Sequence, residues 1–314
     1  MKYPITLSKK LQVTKSLFIT FSVLFIQLFA FGQDTGKQAL RLFIIGNSFS
    51  QDASSYLPEI AKEKGKSLTI GRAQLGGCSL EQHWKYAEAA EANPDDVKGK
   101  PYKGKSLHML LSEGTWDIVT IQQYSYLSAD LESYSPYADN LYNYIKKLQP
   151  KAEIVMHQTW AYRGDAKRFG RLAPGQTAKD DEEMWLKSRS AYHAVAQQLK
   201  VRIIPVGDAF RKVSSNPAHR YKKDELYNYE NPVYPNLPRQ DNSLNMGYYW
   251  KNGKDFTFDP NHANEAGRYL GSLIWYAFLF NDSPKNVQFM PDKVDADFAG
   301  YLKKVATKEF QKAN

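Results

Sequence analysis

Cysteine is nearly absent from this chain of 314 residues, in which Cys78 is the only one. A single cysteine excludes any disulfide within the chain. Small secreted domains depend on disulfides, whereas a chain of this length can bury enough apolar surface to fold without them. We therefore expect a core stabilised by packing. We interpret Cys78 as a small buried residue rather than as a nucleophile, because no activating neighbour accompanies it.

Acidic residues are absent before Asp34, which marks the amino terminus as a distinct segment. Residues 1–16 carry four lysines, residues 17–32 are largely apolar, and Ala30-Phe31-Gly32 forms a small-x-small end. This pattern is typical of a signal peptide, and we predict one over residues 1–32, with export to the periplasm or exterior of a bacterium. A retained membrane anchor is the alternative, because the apolar run approaches the roughly 18 residues of a span. After cleavage we expect no stable membrane span.

A concentrated basic surface is also lacking. The formal charge of +9 falls to +5 when the four lysines of residues 1–32 are set aside, and the remaining excess is spread along the chain. Nucleic-acid-binding proteins usually cluster their basic residues, so nucleic acid is not an expected partner. No metal site and no cofactor are predicted either, because ligand-like spacing is missing from the histidines at positions 83, 108, 193 and 219.

Short aliphatic runs alternate with helical patterns along the rest of the chain. We predict strands at 40–46, 67–73, 116–121, 153–156 and 201–206, and helices at 53–64, 135–148, 181–200 and 262–279. Strands of nearly continuous aliphatic residues are typical of a parallel sheet covered by helices on both faces. The sequence therefore predicts an α/β protein, a three-layer α/β/α sandwich with a flavodoxin-like five-stranded parallel sheet. We expect one domain at 33–314, with long loop insertions near 85–114 and 210–258.

Two motifs carry reactive groups. Gly46-Asn47-Ser48 follows the first predicted strand, and Asp259-Pro260-Asn261-His262 sets a carboxylate and an imidazole three residues apart. A serine at a strand-to-helix turn, a histidine to accept its proton and a carboxylate to orient the histidine are the parts of a nucleophilic hydrolase. A serine that merely caps a helix has the same local sequence, so the catalytic interpretation depends on the joint presence of both motifs.

These motifs resemble those of the SGNH (GDSL-type) hydrolase superfamily. The resemblance is closer to a carbohydrate-associated branch of Bacteroidetes whose members often carry only the label of a domain of unknown function. It extends over essentially the whole mature chain and implies the SGNH hydrolase fold for the domain. The superfamily has Gly-Asp-Ser at its first motif, where this chain has Asn47 in place of the aspartate. The resemblance implies that Ser48, Asp259 and His262 are catalytic, and that the amides of Ser48 and Gly77 belong to an oxyanion hole.

The third motif of the superfamily, Gly-x-Asn-Asp, is absent, and the third predicted strand ends in Ile121-Gln122-Gln123. The side chain of a glutamine, like that of the asparagine in the superfamily motif, can direct an N–H group at a developing oxyanion. The resemblance implies that Gln122 takes this role, with Gln123 as the second choice. Three further side chains at the ends of strands are predicted to contact the substrate, namely Asn47, His157 and Trp160.

The sequence thus predicts an exported serine esterase that hydrolyses O-acyl esters, above all O-acetyl esters, of a small molecule or a glycan. A Gly-x-Ser-x-Gly turn is absent, which disfavours the α/β-hydrolase class that uses it. One alternative is a lipid or thioester hydrolase, which would need an apolar groove. The other is a carbohydrate-binding protein on a degenerate hydrolase fold, suggested by the altered first and third motifs. The acyl group, the glycan and the oligomeric state stay open.

Overall fold

The computed structural model describes residues 39–313, so the predicted signal peptide at 1–32 lies outside the described residues. The strands are β1 (Leu40–Gly46), β2 (Leu68–Gln74), β3 (Ile118–Ile121), β4 (Glu153–His157), β5 (Arg171–Ala173), β6 (Gln176–Thr177), β7 (Arg202–Ile204), β8 (Asn245–Lys251) and β9 (Asp255–Ala263). The α-helices are α1 (Ser48–Ala53), α2 (Leu57–Glu63), α3 (Leu80–Ala92), α4 (Leu107–Leu111), α5 (Tyr137–Leu148), α6 (Asp181–Leu199), α7 (Val206–Ser214), α8 (Glu265–Phe280) and α9 (Ala296–Ala313). None of the helices in this described part has the length and apolar character needed to cross a membrane.

Five parallel strands form the central sheet in the order β2-β1-β3-β4-β7, which confirms the predicted flavodoxin-like arrangement. β1 lies between β2 and β3, and Leu42 is in register with both Ile70 and Ile118. The chain leaves β1 toward β2 and later returns to the other side of β1 as β3. Such a reversal opens a crevice at the carboxyl ends of the two strands. Ser48 follows β1 and Gln122 follows β3, so both lie at this crevice.

The core has two layers, one on each face of the sheet, because successive side chains of a strand point to opposite faces. Leu42 and Ile44 of β1 pack in one layer with residues of α1, α2, α7, α8 and α9. Phe43 and Ile45 pack in the other layer with residues of α3, α4, α5 and α6. All four side chains are buried, as expected for a strand in the middle of a covered parallel sheet.

Several helices differ from the sequence-based expectation. The helix predicted at 53–64 is two helices, and the first of them begins at Ser48, where the side chain of Asn47 caps it. The segment predicted as a loop insertion near 85–114 contains most of α3 and all of α4. Helix α3 begins in a capping box formed by Ser79 and Gln82. The last predicted helix begins at Glu265 rather than at His262, because Asn264 caps it by accepting a hydrogen bond from the Gly267 amide.

A two-stranded antiparallel hairpin, β8 with β9, lies within and just after the segment predicted as a loop near 210–258. Asp259 and His262 are part of β9, so the second motif lies on a strand, and α8 begins three residues after His262. Polar and aromatic residues alternate at 255–258, as expected for a strand exposed on one face. The high content of Tyr, Asn and Pro nearby obscured this period in the sequence.

Helix α1, which begins at Ser48, packs against α8 at very short range. The backbone carbonyl of Ala53 accepts a hydrogen bond from Ser272 Oγ at 3.1 Å, and the same hydroxyl accepts one from the Tyr56 amide at 3.0 Å. A Cβ on Gly271 would lie 2.8 Å from Ala53 Cα. Only a glycine allows the two backbones to approach this closely.

We predict that Gly271→Ala destabilises the protein by about 1–3 kcal/mol, because the added methyl group meets backbone atoms that cannot rotate away. Gly300→Ala is the matched control, since it lies inside α9 and a Cβ there has no neighbour within 4 Å. We expect that control to be neutral or to stabilise the helix by up to about 1 kcal/mol. Urea denaturation of both variants provides the measurement, and equal effects at the two positions would contradict this account of the α1–α8 contact.

Candidate active site

The serine of the first motif is presented by a sharp turn between β1 and α1. Asn47 has an extended backbone conformation and caps α1, because its Oδ1 accepts a hydrogen bond from the Phe49 amide at 3.1 Å. Ser48 is the first residue of the helix, so its own amide has no acceptor within the helix. The Ser48 side chain is partly exposed, while Asn47 and Phe49 on either side of it are buried.

A buried chain of side chains supports this turn from below. Asn47 Nδ2 donates to the carbonyl of Cys78 at 2.9 Å, and Gln122 Nε2 donates to Asn47 Oδ1 at 2.7 Å. Gln122 Oε1 lies 2.9 Å from His157 Nδ1. Asn47, Gln122 and His157 are each at most 1% exposed. These hydrogen-bonded side chains join the ends of β1, β3 and β4 to the loop after β2.

Two backbone groups determine the orientation of every member of this chain. The Phe49 amide can only donate and the Cys78 carbonyl can only accept, so the oxygen and nitrogen of Asn47 are assigned. Gln122 must then present its amide nitrogen to Asn47 and its oxygen to His157. His157 must therefore carry its proton on Nδ1. Burial lowers the pKa of His157 to about 3, which keeps the ring neutral, as this assignment requires.

His83 supports the end of β1 from the other side, a role that the sequence did not reveal. Its Nε2 donates to the carbonyl of Gly46 at 3.2 Å, and its Nδ1 accepts from the hydroxyl of Tyr102 at 2.7 Å. His83 is fully buried, and burial lowers its pKa to about 4. A neutral ring with one donor and one acceptor is thus fully satisfied here. No spacing pattern in the sequence links position 83 to Gly46.

The structure brings Ser48, His262 and Asp259 together in one line of hydrogen bonds. His262 Nδ1 lies 2.8 Å from Asp259 Oδ2, and His262 Nε2 lies 2.9 Å from Ser48 Oγ. Because a carboxylate can only accept, Nδ1 carries the proton and Nε2 is free to accept from the serine hydroxyl. Asp259 Oδ1 also accepts from the Asn261 and His262 amides, both at 3.0 Å, which closes the Asp-x-x-His segment into a turn.

A bulge in β9 gives His262 its direction. Asn245 pairs with Ala263 and Gly247 pairs with Asp259, so three residues of β9 oppose a single residue of β8. Bulges of this kind redirect a side chain and are frequent beside active sites. Two of the three carbonyls inside the bulge have donors. The Pro260 carbonyl accepts from Arg163 N and Asn245 Nδ2 at 2.9 and 2.8 Å, and the Asn261 carbonyl accepts from Trp160 Nε1 at 2.9 Å.

The electrostatics of the pair suit a general base. Burial alone would raise the pKa of Asp259, but the hydrogen bonds from the His262 side chain and backbone prevail and lower it. The hydrogen bond to Asp259 is the main reason that the pKa of His262 is raised, and burial opposes it. The carboxylate therefore stays ionised and stabilises a positive charge on the imidazole. The side chain of His262 is 40% exposed, which leaves it accessible to a substrate.

Gly77 lies where the sequence predicts a second amide donor. It occupies the exposed turn between β2 and α3 with a φ of +67°, a conformation that favours glycine. Within residues 39–313 no protein group accepts a hydrogen bond from its amide. Its neighbour Cys78 is the residue whose carbonyl binds Asn47, so the turn is tied to the Ser48 loop.

The two candidate glutamines, Gln122 and Gln123, differ in how many of their side-chain N–H groups already have an acceptor. Gln123 Nε2 donates to both the carbonyl and the hydroxyl of Ser133, and its Oε1 accepts from the Leu80 and Tyr124 amides. Gln123 therefore has no donor to spare, and its role is structural. Gln122 uses one of its two N–H groups on Asn47, so of the two glutamines only this one, itself 1% exposed, keeps an N–H without an acceptor among residues 39–313.

The three predicted substrate contacts do not fit the structure. Asn47 and His157 are buried in the supporting chain, and Trp160 is 1% exposed. Trp160 stacks between Phe49 and Phe210 at ring distances of 4.2 and 4.5 Å, and its Nε1 donates to the Asn261 carbonyl at 2.9 Å. A side chain enclosed in this way cannot contact a substrate, so Trp160 supports the His262 segment instead. The carboxyl end of a strand indicates proximity to the crevice, but not exposure to it.

Cys78 is buried and unpaired, and burial raises the pKa of its thiol to about 12. The thiol therefore stays protonated and is not a competing nucleophile. A polar cavity of about 770 Å³ lies behind the Asp259–His262 turn, between α6, α7 and the segment at 220–223. Neither Ser48 nor His262 lines it, so the reactive groups face a different surface.

Comparison with known proteins supports the fold. Residues 41–215, more than half of the chain, match the model of a domain of unknown function, DUF4886. The chain is similar in structure to a DUF4886 family protein from Bacteroides uniformis, with 22% identity, a TM-score of 0.65, and coverage of 87% of this chain and 95% of that chain. A search of curated proteins finds no match.

Two other solved structures are similar at lower scores. One is a candidate SGNH hydrolase from Slackia heliotrinireducens, with 20% identity, a TM-score of 0.45, and coverage of 76% of this chain and 97% of that chain. The other is an acetyl xylan esterase, with 14% identity, a TM-score of 0.41, and coverage of 76% and 98%.

The sheet order defines an α/β/α protein with a flavodoxin-like five-stranded parallel sheet, in which a serine lies at the crevice between β1 and β3. The chain belongs to the DUF4886 family. At 22% identity, the likeness to the Bacteroides uniformis protein is one of fold alone.

We predict that Asn47→Asp destabilises the protein by about 1–3 kcal/mol, because a carboxylate cannot donate to the Cys78 carbonyl. This holds although the SGNH motif that Gly46-Asn47-Ser48 resembles has aspartate at this position. The cost should grow as the pH rises, since the new carboxyl group ionises more readily in the unfolded chain than beside a carbonyl. Denaturation at several pH values provides the measurement.

Asn216→Asp is the matched control for this substitution. Asn216 Oδ1 also accepts from a nearby backbone amide, that of Ala218, but its Nδ2 donates to the Tyr301 hydroxyl, at 2.9 Å. A hydroxyl can turn and donate to a carboxylate, whereas a carbonyl cannot. We expect little change in this control, and an equally small effect of Asn47→Asp would contradict the orientation assigned to the buried chain.

Proposed function

We propose that this protein is an exported serine esterase that hydrolyses O-acyl esters, with O-acetyl groups on carbohydrate as its substrates. The observation that carries the proposal is the line of hydrogen bonds from Asp259 through His262 to Ser48, at 2.8 and 2.9 Å. It lies at the carboxyl edge of the sheet, where the turn of Gly77, whose amide has no acceptor within residues 39–313, is linked to Asn47 through the Cys78 carbonyl.

In the first half of the proposed reaction, Ser48 Oγ attacks the ester carbonyl while His262 Nε2 accepts the hydroxyl proton. Asp259 stabilises the imidazolium that results. The amides of Ser48 and Gly77, with the second N–H of Gln122, donate to the oxyanion. The intermediate then expels the alcohol, which takes its proton from the imidazolium, and the acyl group stays on Ser48.

In the second half, a water molecule attacks the acyl-serine while His262 accepts a proton from it. Collapse of the second intermediate breaks the bond to Ser48 Oγ, which regains its proton from the imidazolium, and the free acid leaves. Every proton transfer passes through His262 Nε2. Because the rest of the imidazole is held by Asp259, the ring needs no rearrangement between the two halves.

The carbohydrate substrate is supported by the surroundings of the site. The ring of Tyr124 lies 3.9 Å from the position of a Cβ on Gly77, and Tyr126 lies close to Tyr124, with a ring distance of 6.3 Å. On the hairpin, Tyr249 and Thr257 continue the face that carries Asp259, because alternate residues of a strand share a face. Partly exposed tyrosines such as Tyr124 and Tyr249 suit a sugar ring better than a lipid chain.

Export remains part of the proposal. It rests on the basic and apolar segments of residues 1–32, which lie outside the described residues. An acetylated glycan outside the cytoplasm would be accessible to an exported esterase.

We expect the mature protein to hydrolyse p-nitrophenyl acetate and to release acetate from an acetylated polysaccharide. Ser48→Ala should reduce kcat by up to about 10⁶-fold, because the nucleophile is lost. Ser190→Ala, an exposed serine on α6 whose hydroxyl contacts only its own helix, is the matched control and should keep native activity. Turnover that persists in a folded Ser48→Ala variant would exclude the proposed mechanism. Binding of glycans without turnover would instead favour a carbohydrate-binding protein.

We predict that kcat/KM falls as the pH drops through the pKa of His262, which lies above the usual 6.5, because only the neutral ring accepts the serine proton. Asp259→Asn should move this acid limb to lower pH, because the stabilising carboxylate is gone, and should lower kcat by about 10⁴-fold. pH–rate profiles of both proteins test this. An acid limb that stays in place in Asp259→Asn would show that another group controls the titration.

A further inference from the structure

Asp52 connects the helix that carries Ser48 to the segment that carries His262. It lies one turn after Ser48 on α1 and is 6% exposed. Its Oδ2 accepts a hydrogen bond from the Ala263 amide at 3.0 Å, and Ala263 is the residue directly after His262. Nothing in the spacing of the two sequence motifs points to this carboxylate, which belongs to neither of them.

The second oxygen of Asp52 is paired with a cation from the following helix. Asp52 Oδ1 accepts from Arg268 Nε of α8 at 3.0 Å. One carboxylate thus joins α1, the end of β9 and the first turn of α8. Further along the two helices, α1 is joined to α8 by the Ser272 hydroxyl and by the close contact at Gly271. These contacts hold α1 and α8 in one relative orientation.

We propose that Asp52 is a positioning residue that sets the distance between Ser48 Oγ and His262 Nε2 and supplies a second negative charge to the imidazole. The inference rests on the proposed roles of Ser48 and His262. The contact to the Ala263 amide accounts for the distance, because it ties the backbone beside the histidine to the helix of the serine. Misplacement of reacting groups by about 1 Å costs on the order of 10²-fold in rate.

The charge of Asp52 acts on His262 together with those of Asp259 and Arg268. Asp259 on β9 contacts the ring directly, and Arg268 comes from α8, where it also lies 4.0 Å from Glu265. The pKa of His262 is raised first by the hydrogen bond to Asp259, then by the charges of Asp259 and Asp52, while burial and the charge of Arg268 lower it. Burial raises the pKa of Asp52 itself, and the charge of Arg268 opposes that rise.

The test uses Asp52→Asn and Arg268→Gln, two nearly isosteric changes that remove opposite charges from the same pair. NMR titration of the His262 ring measures its pKa without any substrate. We expect Asp52→Asn to lower the pKa of His262, because a stabilising negative charge is lost and Arg268 is left unopposed. Arg268→Gln should raise it, because the opposing positive charge is lost. A contact with only a structural role would not shift the two variants in opposite directions.

The positioning role is measured by the rate at which a fluorophosphonate probe labels Ser48. We expect Asp52→Asn to slow labelling by about 10- to 100-fold, because the histidine is no longer held at the serine. The control is Asp208→Asn, which also removes a carboxylate paired with an arginine, Arg189 at 3.0 Å, but contacts neither α1 nor β9. It should leave both the labelling rate and the pKa of His262 unchanged, and circular dichroism checks that each variant is folded.

Two results would overturn the inference. One is a pKa of His262 that is the same in Asp52→Asn as in the native protein. The other is a labelling rate of Asp52→Asn within about twofold of native. A native protein that is not labelled at Ser48 would instead overturn the proposed function, and the titration of His262 would still decide whether Asp52 acts on the imidazole.

Discussion

The orientation of Asn47 is the constraint on which the rest of the site depends. Its two amide ends are assigned by one backbone donor, Phe49 N–H, and one backbone acceptor, the Cys78 carbonyl. This assignment determines which end of the Gln122 amide faces Asn47 and which ring nitrogen of His157 carries the proton. Buried polar groups of this kind are costly when unpaired, so the hydrogen bonds along Asn47, Gln122 and His157 favour one arrangement of the strand ends. The position of Ser48 at the crevice is a consequence.

The histidine reaches the serine by a separate route, through the bulge of β9. Donors from outside the hairpin bind the carbonyls of Pro260 and Asn261, and Trp160 fills the space beneath. The two halves of the site thus come from opposite ends of the chain and meet through tertiary contacts. Asp52 is the contact that joins them directly, since it lies on the serine helix and binds the backbone next to His262.

The fold, and the motifs whose Ser48, Asp259 and His262 meet at the crevice, were accessible to sequence reasoning because each has a local signal. The aliphatic runs at 40–46 and 153–156 predicted strands whose bounds are nearly those observed, and their continuity predicted a covered parallel sheet. Helix α3 and the hairpin were missed, because polar and aromatic residues interrupt the hydrophobic periodicity of these segments. Buried supporting groups such as His83 were missed for another reason, because a polar residue in a core has no sequence pattern of its own.

The sequence by itself determined the α/β class and the residue types available for chemistry, because these follow from local periodicity and motif spacing. Only the tertiary structure decided that Gln122 keeps a free N–H while Gln123 does not, that Trp160 is enclosed, and that Asp52 lies beside Ala263. Such outcomes depend on which groups meet across the sheet edge. Hydrogen bonds between distant segments carry no signature along the chain, so only packing can assign them.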